Sequence, residues 1–279
     1  MLYIDMPELP EVETIKSQIE EITPFTILSE EYSSVVSSIL KDKNKHFEVT
    51  GHTVSKMGRK GKLLYFELDD DMYILSHLGM SGSWRISKTK VIEKHTHVQF
   101  EVKGKKGNKF FIAYVDPRRF GNMYFVYEEE AKKHFNELGV DIGSPEFTSD
   151  YIYEVLKKHS SKVLKPFLLD QKYFAGCGNY IASEICARAG IRPTRKCGKV
   201  TRSEADKIRE ATESVLKGSI ENNGMTFSGG YSDTRGEKGE GVQNLVVFYQ
   251  DVCGLCRTTK VKKITLAQRG TYYCPTCQK

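Results

Sequence analysis

The 279-residue chain contains no run of the roughly 18–20 uncharged apolar residues that a membrane-spanning helix requires. Its first residues, MLYIDMPELPEVE, lack the basic-then-apolar order of a secretory signal. No internal repeat is present, which argues against stacked-repeat architectures. No proline falls between Pro24 and Pro117, a vacancy that suits interior strands. Disorder is excluded by composition, with 39% hydrophobic, 28% charged and 11% aromatic residues. These absences predict a soluble, intracellular chain with no membrane partner, long for one compact domain and comfortable for two. Net charge is also modest: 42 Lys+Arg against 36 Asp+Glu leave +6, which permits a polyanionic partner without selecting one.

The seven cysteines are placed unevenly. Cys177, Cys186 and Cys197 stand alone and are expected to be reduced, buried small hydrophobes. Cys253-Gly-Leu-Cys256 and Cys274-Pro-Thr-Cys277 form two C-x-x-C knuckles separated by 17 residues. Four thiolates brought together by a hairpin would close a tetrahedral site around one structural Zn2+ with no open position. Two disulfides are the alternative. The stretch from Asp251 to Lys279 is too short to build a core, so metal would supply its folding free energy. It also carries Arg257, Lys260, Lys262, Lys263, Arg269 and Lys279 against the single acid Asp251, and so holds five of the six net charges. A basic zinc hairpin is an electrostatic footprint for a phosphate backbone, and a plainly solvated basic tail is the competing explanation.

Periodicity orders the rest. Val12, Ile15, Ile19 and Ile22 share one helical face after Pro10, and Pro24 limits that helix. From about Phe47 to Tyr127 the period becomes two, in runs such as 62–68, 72–75, 97–102 and 109–115. After about Glu128 the pattern is helical as far as Asn223, with Thr201-Arg-Ser-Glu204 as a capping box and Gly224 as a stop. The segment 226–241 carries Gly229, Gly230, Gly236, Gly239 and Gly241 and is expected to be a mobile loop. The expected fold is therefore multidomain α and β. An N-terminal antiparallel β-sandwich with a front helix spans 7–128, a helical domain spans 129–241, and a four-cysteine zinc hairpin spans 242–279.

Longer motifs narrow the function. Met6-Pro-Glu-Leu-Pro-Glu-Val-Glu-Thr14 resembles the N-terminus of formamidopyrimidine-DNA glycosylases. Lys62 in Gly61-Lys-Leu-Leu, His77-Leu-Gly-Met-Ser-Gly82, Asp116-Pro-Arg-Arg-Phe-Gly121 and Gly178-Asn-Tyr-Ile-Ala-Ser-Glu184 follow in that family's order, before the cysteine tail closes the match. The resemblance covers nearly the whole chain. It implies a β-sandwich, a helix–two-turn–helix DNA-binding domain and a zinc finger, the order that periodicity gives independently.

The resemblance also implies a chemistry. An N-terminal proline amine attacks C1′ of the damaged nucleoside, expels the base, and leaves a Schiff base that permits β,δ-elimination. By the match, Pro7 is the nucleophile, Glu8 shuttles protons and Glu11 supports the site, although acids at a helix start also simply favour its dipole. Lys62 would contact the lesion-side phosphate. Met80, Arg118 and Phe120 would enter the duplex and refill the stack vacated by the extruded nucleotide, where by composition alone a Met and a Phe are more often core. Lys165, Asn179 (as a helix N-cap) and Arg269 would contact phosphates, and His77 joins the DNA-facing set. His95 and His97 are expected to be structural rather than metal ligands. Gly176-Cys-Gly-Asn-Tyr-Ile181 lacks the full dinucleotide fingerprint, so no nucleotide cofactor is expected.

The implied activity is a base-excision-repair glycosylase and abasic-site lyase for oxidised purines, working as a monomer on double-stranded DNA in the cytoplasm or wherever the host DNA resides. An endonuclease VIII-like preference for oxidised pyrimidines is an alternative. A proline inside a chain has no free amine, so the working start is expected at Met6 with that methionine removed. Retention of residues 1–5 would instead favour a non-catalytic damage-binding protein.

Overall fold

The computed structural model describes residues 6–41, 47–227 and 230–279. They form two compact units, one comprising the chain to Glu137 with Asn223–Glu240, the other Leu138–Asn222 with Gly241–Lys279. This partition differs from the three consecutive stretches drawn from sequence. Segment 223–240 packs with the N-terminal unit, and the cysteine hairpin packs with the helices.

The first unit opens with helix α1 (Leu9–Glu20). Its face of Val12, Ile15 and Ile19 is buried as the spacing predicts, and the chain turns before Pro24. Eight strands follow: β1 (Phe25–Tyr32), β2 (Thr53–Lys60), β3 (Leu63–Leu68), β4 (Met72–His77), β5 (Ser83–Ser87), β6 (Thr96–Gly104), β7 (Lys109–Val115) and β8 (Asn122–Tyr127), closed by helix α2 (Glu128–Asn136). They form one antiparallel sheet in the order β5-β7-β6-β1-β2-β3-β4-β8. β1 begins well before the period-two region and carries the glutamates Glu30 and Glu31, which hid it.

That single sheet is the expected sandwich. β5 and β3 lie five strand steps apart, about 24 Å in a flat sheet, yet the Trp84 and Phe66 rings meet at 5.0 Å. The Trp84 indole N–H also donates to Ser76 of β4 at 3.1 Å. The sheet is therefore curled over on itself, and register shifts in β1, β2 and β6 mark where the ladder bends. Trp84, Phe66, Phe100 and Tyr114 fill the space between its layers.

The second unit carries β9 (Val140–Asp141), α3 (Ser149–Lys158), α4 (Leu164–Leu168), β10 (Phe174–Ala175), α5 (Asn179–Arg188), α6 (Arg202–Ile220), and the hairpin β11 (Lys262–Leu266) with β12 (Arg269–Tyr273). α5 is its central helix, with every residue from Tyr180 to Ala187 buried. The predicted capping box opens α6: Thr201 Oγ1 accepts from the Glu204 N–H at 3.2 Å, and the Glu204 carboxylate accepts from the Thr201 N–H at 2.9 Å. Among the described residues no helix is long and apolar enough to cross a membrane.

Candidate active site and nucleic-acid interface

Pro7 and Glu8 are buried at the head of α1, where Glu8 is the N-cap. Pro10, in the first turn, has no N–H to leave orphaned. Glu11 is 1% exposed, and its carboxylate does more than favour the helix dipole. One oxygen accepts from the Glu8 N–H at 2.8 Å and the other from the Met225 N–H at 2.7 Å. Glu11 thus ties the start of α1 to a segment more than 200 residues on. Gly224, at φ +89°, permits this approach, because a Cβ there would lie 3.0 Å from Glu11 and from the Tyr231 ring.

Lys62 is the second residue of the two-residue turn between β2 and β3, after Gly61 at φ +58°, rather than a strand residue. Arg59 sets that turn. Its Nε donates to Glu13 of α1 at 2.8 Å, and its Nη1 donates to the Gly61 carbonyl at 2.8 Å. Burial raises the Glu13 pKa, but the hydrogen bond and charge of Arg59, with Lys16, more than offset this and hold it below the usual value. His77 ends β4 opposite Leu63, and burial, aided by the Lys62 charge, pushes its pKa down to about 4. Its Nδ1 accepts from the Gly79 N–H at 3.2 Å, so the neutral ring carries its proton on Nε2.

Two loops, 78–82 and 116–121, are zipped together beyond β4 and β7. The organiser is Asp116, fully buried. One of its oxygens accepts from Ser81 Oγ at 2.5 Å and the Arg119 N–H at 3.0 Å, while the other accepts from the Gly121 N–H at 2.8 Å. Ser81 Oγ accepts in turn from the Arg118 N–H at 3.1 Å. Gly79, at φ +63°, completes the seam, since a Cβ there would sit 2.4 Å from the Phe120 carbonyl. The loops present Met80, half-buried, with Arg118 and Phe120 exposed. Phe120 is 52% exposed, and the Arg118 guanidinium lies 4.8 Å from the centre of its ring.

His97 is a satisfied structural residue, with Nδ1 2.9 Å from Ser33 Oγ and Nε2 3.0 Å from the Asp116 carbonyl. His95 lies just outside β6 at φ +70°, not on one strand face with His97.

In the second unit Asn179 is the first residue of α5, and Gly178 is the N-cap; the capping position falls one residue earlier than the sequence suggested. The Asn179 side chain is occupied otherwise: its Nδ2 donates to the Gly270 carbonyl of β12 at 3.2 Å, and its Oδ1 accepts from the Lys165 ammonium. Lys165 is wholly buried and so fixes Asn179 rather than standing on the surface. Arg269 is exposed beside Gly270, after a two-residue turn whose Ala267 and Gln268 both take left-handed φ. Asn179 is therefore bonded to the residue that follows Arg269.

The four thiols also converge. The Sγ atoms of Cys253, Cys256, Cys274 and Cys277 all lie within 4.8 Å of one another, with Cys253–Cys277 at 4.0 Å and Cys256–Cys274 at 3.9 Å. A tetrahedral zinc with bonds of about 2.3 Å separates its sulfurs by about 3.8 Å, whereas a disulfide requires about 2.05 Å. The donor set fits one structural zinc and excludes the paired disulfides.

The segment 226–241 is not a free loop in its described part; Ser228 and Gly229 lie outside the described residues. Gln18 of α1 donates to Asp233 at 2.7 Å and accepts from the Thr234 N–H at 2.9 Å. Arg85 of β5 donates to Ser232 Oγ at 2.9 Å and to the Asp233 carbonyl at 3.0 Å. Thr226 Oγ1 accepts from the Gly239 N–H at 2.8 Å and closes the strap on itself. Glycine content suggested mobility, but hydrogen bonds to residues remote in sequence decided otherwise. Gln18, Arg59 and Arg85 gave no signal in sequence. Asp116 carries one, an Asp directly before Pro in a turn of the Asp116-Pro-Arg-Arg-Phe-Gly121 motif.

The chain thus combines a curled antiparallel sheet, a helical unit and a hairpin whose four thiols fit one structural zinc. The chain matches the formamidopyrimidine-DNA glycosylase N-terminal domain over residues 6–123, that glycosylase's H2TH domain over 138–229, and the zinc finger found in FPG and IleRS over 250–279. The chain belongs to the formamidopyrimidine-DNA glycosylase family, DNA glycosylases of base-excision repair. It is 36% identical to the formamidopyrimidine-DNA glycosylase of Oceanobacillus iheyensis, over 98% of each chain, and 33% identical to that of Listeria innocua, over 98% of this chain and 100% of the relative. Among solved structures it resembles MutM in complex with DNA containing carbocyclic 8-oxo-G (TM-score 0.84, 29% identity). It likewise resembles Lactococcus lactis Fpg with abasic-site DNA (TM-score 0.84, 28% identity); each likeness covers 98% of this chain and 100% of the other.

Proposed function

We propose that this glycosylase removes oxidised purines, 8-oxoguanine and formamidopyrimidines, and then cleaves the abasic strand through a Schiff base on Pro7, acting as a monomer on duplex DNA. The observation that carries the reading is the head of α1, where the buried Pro7 is followed by the buried carboxylates of Glu8 and Glu11. The Pro7 nitrogen, as a free secondary amine, attacks C1′ as the bond from C1′ to the base breaks, the base leaving with the electron pair and taking up a proton. The nitrogen gives up its own proton, and its lone pair then opens the sugar ring by breaking C1′–O4′, with O4′ taking a proton, which leaves the iminium. The resulting iminium acidifies C2′, so loss of that proton expels the 3′ phosphate and a second elimination expels the 5′ phosphate. Glu8 holds and returns the proton at the sugar, while Glu11 keeps Pro7 and Glu8 in register through the N–H groups it accepts.

Lys62, held by the Arg59 bridge, supplies positive charge to the lesion-side phosphate. Met80 and Phe120 fill the vacated stack, and Arg118 satisfies the orphaned partner base. Asn179 and Arg269 take a backbone phosphate. When bound, zinc supplies folding free energy to the hairpin that carries Arg269, and it takes no part in the reaction. The strap 223–240 belongs to the same unit as Pro7 and is tied to α1 and β5 by Gln18 and Arg85.

The reading requires Pro7 to carry the free N-terminus, through a start at Met6 and methionine removal. Intact mass should show a chain beginning at Pro7, and borohydride should trap it covalently on abasic DNA. Pro7→Gly should lose base release by at least about 10³-fold while keeping salt-sensitive DNA binding. A chain that retains Met1 and still cleaves at full rate overturns the proline mechanism.

A further inference from the structure

One buried acid of the second unit has no place in that mechanism. Glu184 lies in α5, 0% exposed, among the buried apolar residues Ile181, Ile185 and Ala187. Its carboxylate accepts three consecutive main-chain N–H groups. Oε2 takes Val246 at 2.9 Å, and Oε1 takes Val247 and Phe248, each at 2.9 Å. The Arg188 Nε lies 3.7 Å away. Burying a carboxylate this deeply is costly unless its lone pairs are satisfied, and three charge-assisted hydrogen bonds satisfy them. Elsewhere in a fold such a nest binds an external anion; here the anion belongs to the protein and grips the chain as it enters the zinc module.

The gripped residues lead directly to the strand that begins with Arg269. The Phe248 ring meets Tyr272 of β12 edge-on and the Tyr249 ring meets it at a tilt, each with centroids 5.0 Å apart. The Val246 carbonyl accepts from the Gly254 N–H, inside the first cysteine knuckle, at 2.8 Å. Tyr272 lies on the strand that begins with Arg269, and Asn179, five residues before Glu184 on α5, holds that strand at Gly270. One helix thus fastens the zinc hairpin at two points about 7.5 Å apart along its axis, by Asn179 directly and by Glu184 through residues 246–248.

We propose that Glu184 is a positioning residue that sets Arg269 beside Asn179 so that both engage one DNA phosphate; this rests on the proposed reading of Asn179 and Arg269 as phosphate ligands. The carboxylate is required because it only accepts. In Glu184→Gln the amide NH2 turns donors toward main-chain donors and releases at least one N–H.

The test is a double-mutant cycle read on a duplex containing a tetrahydrofuran abasic site. Glu184→Gln should raise Kd about tenfold, and the slope of log K against log salt should fall in magnitude by about 0.9, the loss of one phosphate contact. Arg269→Ala should do the same, and the double variant should be no weaker than Arg269→Ala alone, with zinc content unchanged throughout. A merely structural Glu184 would give additive losses, an unaltered salt slope, or loss of zinc, and any of these overturns the proposal. If Glu184→Gln does not fold, Glu184→Asp keeps the charge and shortens the reach; it should weaken binding with the same reduction in salt slope, and unchanged binding would remove the role. Wild-type protein that neither binds nor nicks abasic duplex defeats the proposed function itself, whereas wild-type cleavage with an additive cycle defeats only the role of Glu184.

Discussion

Single side chains in this protein act mostly by holding something else still. Glu11 fixes the helix start, Arg59 the Lys62 turn, Asp116 the loops 78–82 and 116–121, and Lys165 the Asn179 amide. His77 illustrates how burial selects a protonation state. With its pKa at about 4 in the folded protein against an ordinary value near 6.5, the unfolded chain binds more protons between those limits. Stability is therefore fully present above about pH 6.5 and is lost as pH falls toward 4. His77→Gln should flatten that part of the stability profile, checked by chemical denaturation at several pH values. DNA affinity should show no His77 titration between pH 6 and 8, because the ring remains neutral there.

At the scale of elements, the site consists of turns whose geometry is dictated by close packing. The loops 78–82 and 116–121 meet without space for a side chain at Gly79, and its left-handed φ adds strain to any substitution. Gly79→Ala should cost about 2–4 kcal/mol and lower the melting temperature by several degrees. Excision should fall further than stability alone accounts for, since the loops that carry Met80 and Phe120 would be pushed apart at Gly79. An unchanged excision rate in a folded Gly79→Ala protein would remove the role proposed for Met80 and Phe120. The strap after α6 shows the same dependence on remote partners. Its glycines are legible as turns, but its fixed position depends on Gln18 and Arg85, more than 140 residues earlier.

At the scale of the whole molecule, charge and metal coincide. Five of the six net positive charges lie in the last 29 residues, on a hairpin that four thiols hold closed. Removing zinc with a chelator should unfold that hairpin, weaken binding to abasic duplex at least about tenfold and reduce the salt slope. The sheet of the first unit should retain its far-ultraviolet signature, because its core of Trp84, Phe66 and Phe100 owes nothing to the metal. Loss of the sheet together with the zinc would show that this unit does not hold itself together.

The amino-acid sequence by itself determined what depends on local spacing: the α1 face, the Thr201 capping box, most of the strands, the four metal thiols and the motifs that place this chain among its relatives. Their physical basis is short-range, in backbone periodicity, orphan N–H groups at helix ends and ligand pairs close in the chain. The tertiary structure alone decided that one sheet curls into two layers and that the glycine-rich segment is strapped to α1 and β5. It alone decided that Lys165 is buried and that Glu11 and Glu184 each grip distant main-chain N–H groups. Those outcomes rest on satisfying buried polar groups with partners tens to hundreds of residues away, and no local pattern records which partner will arrive.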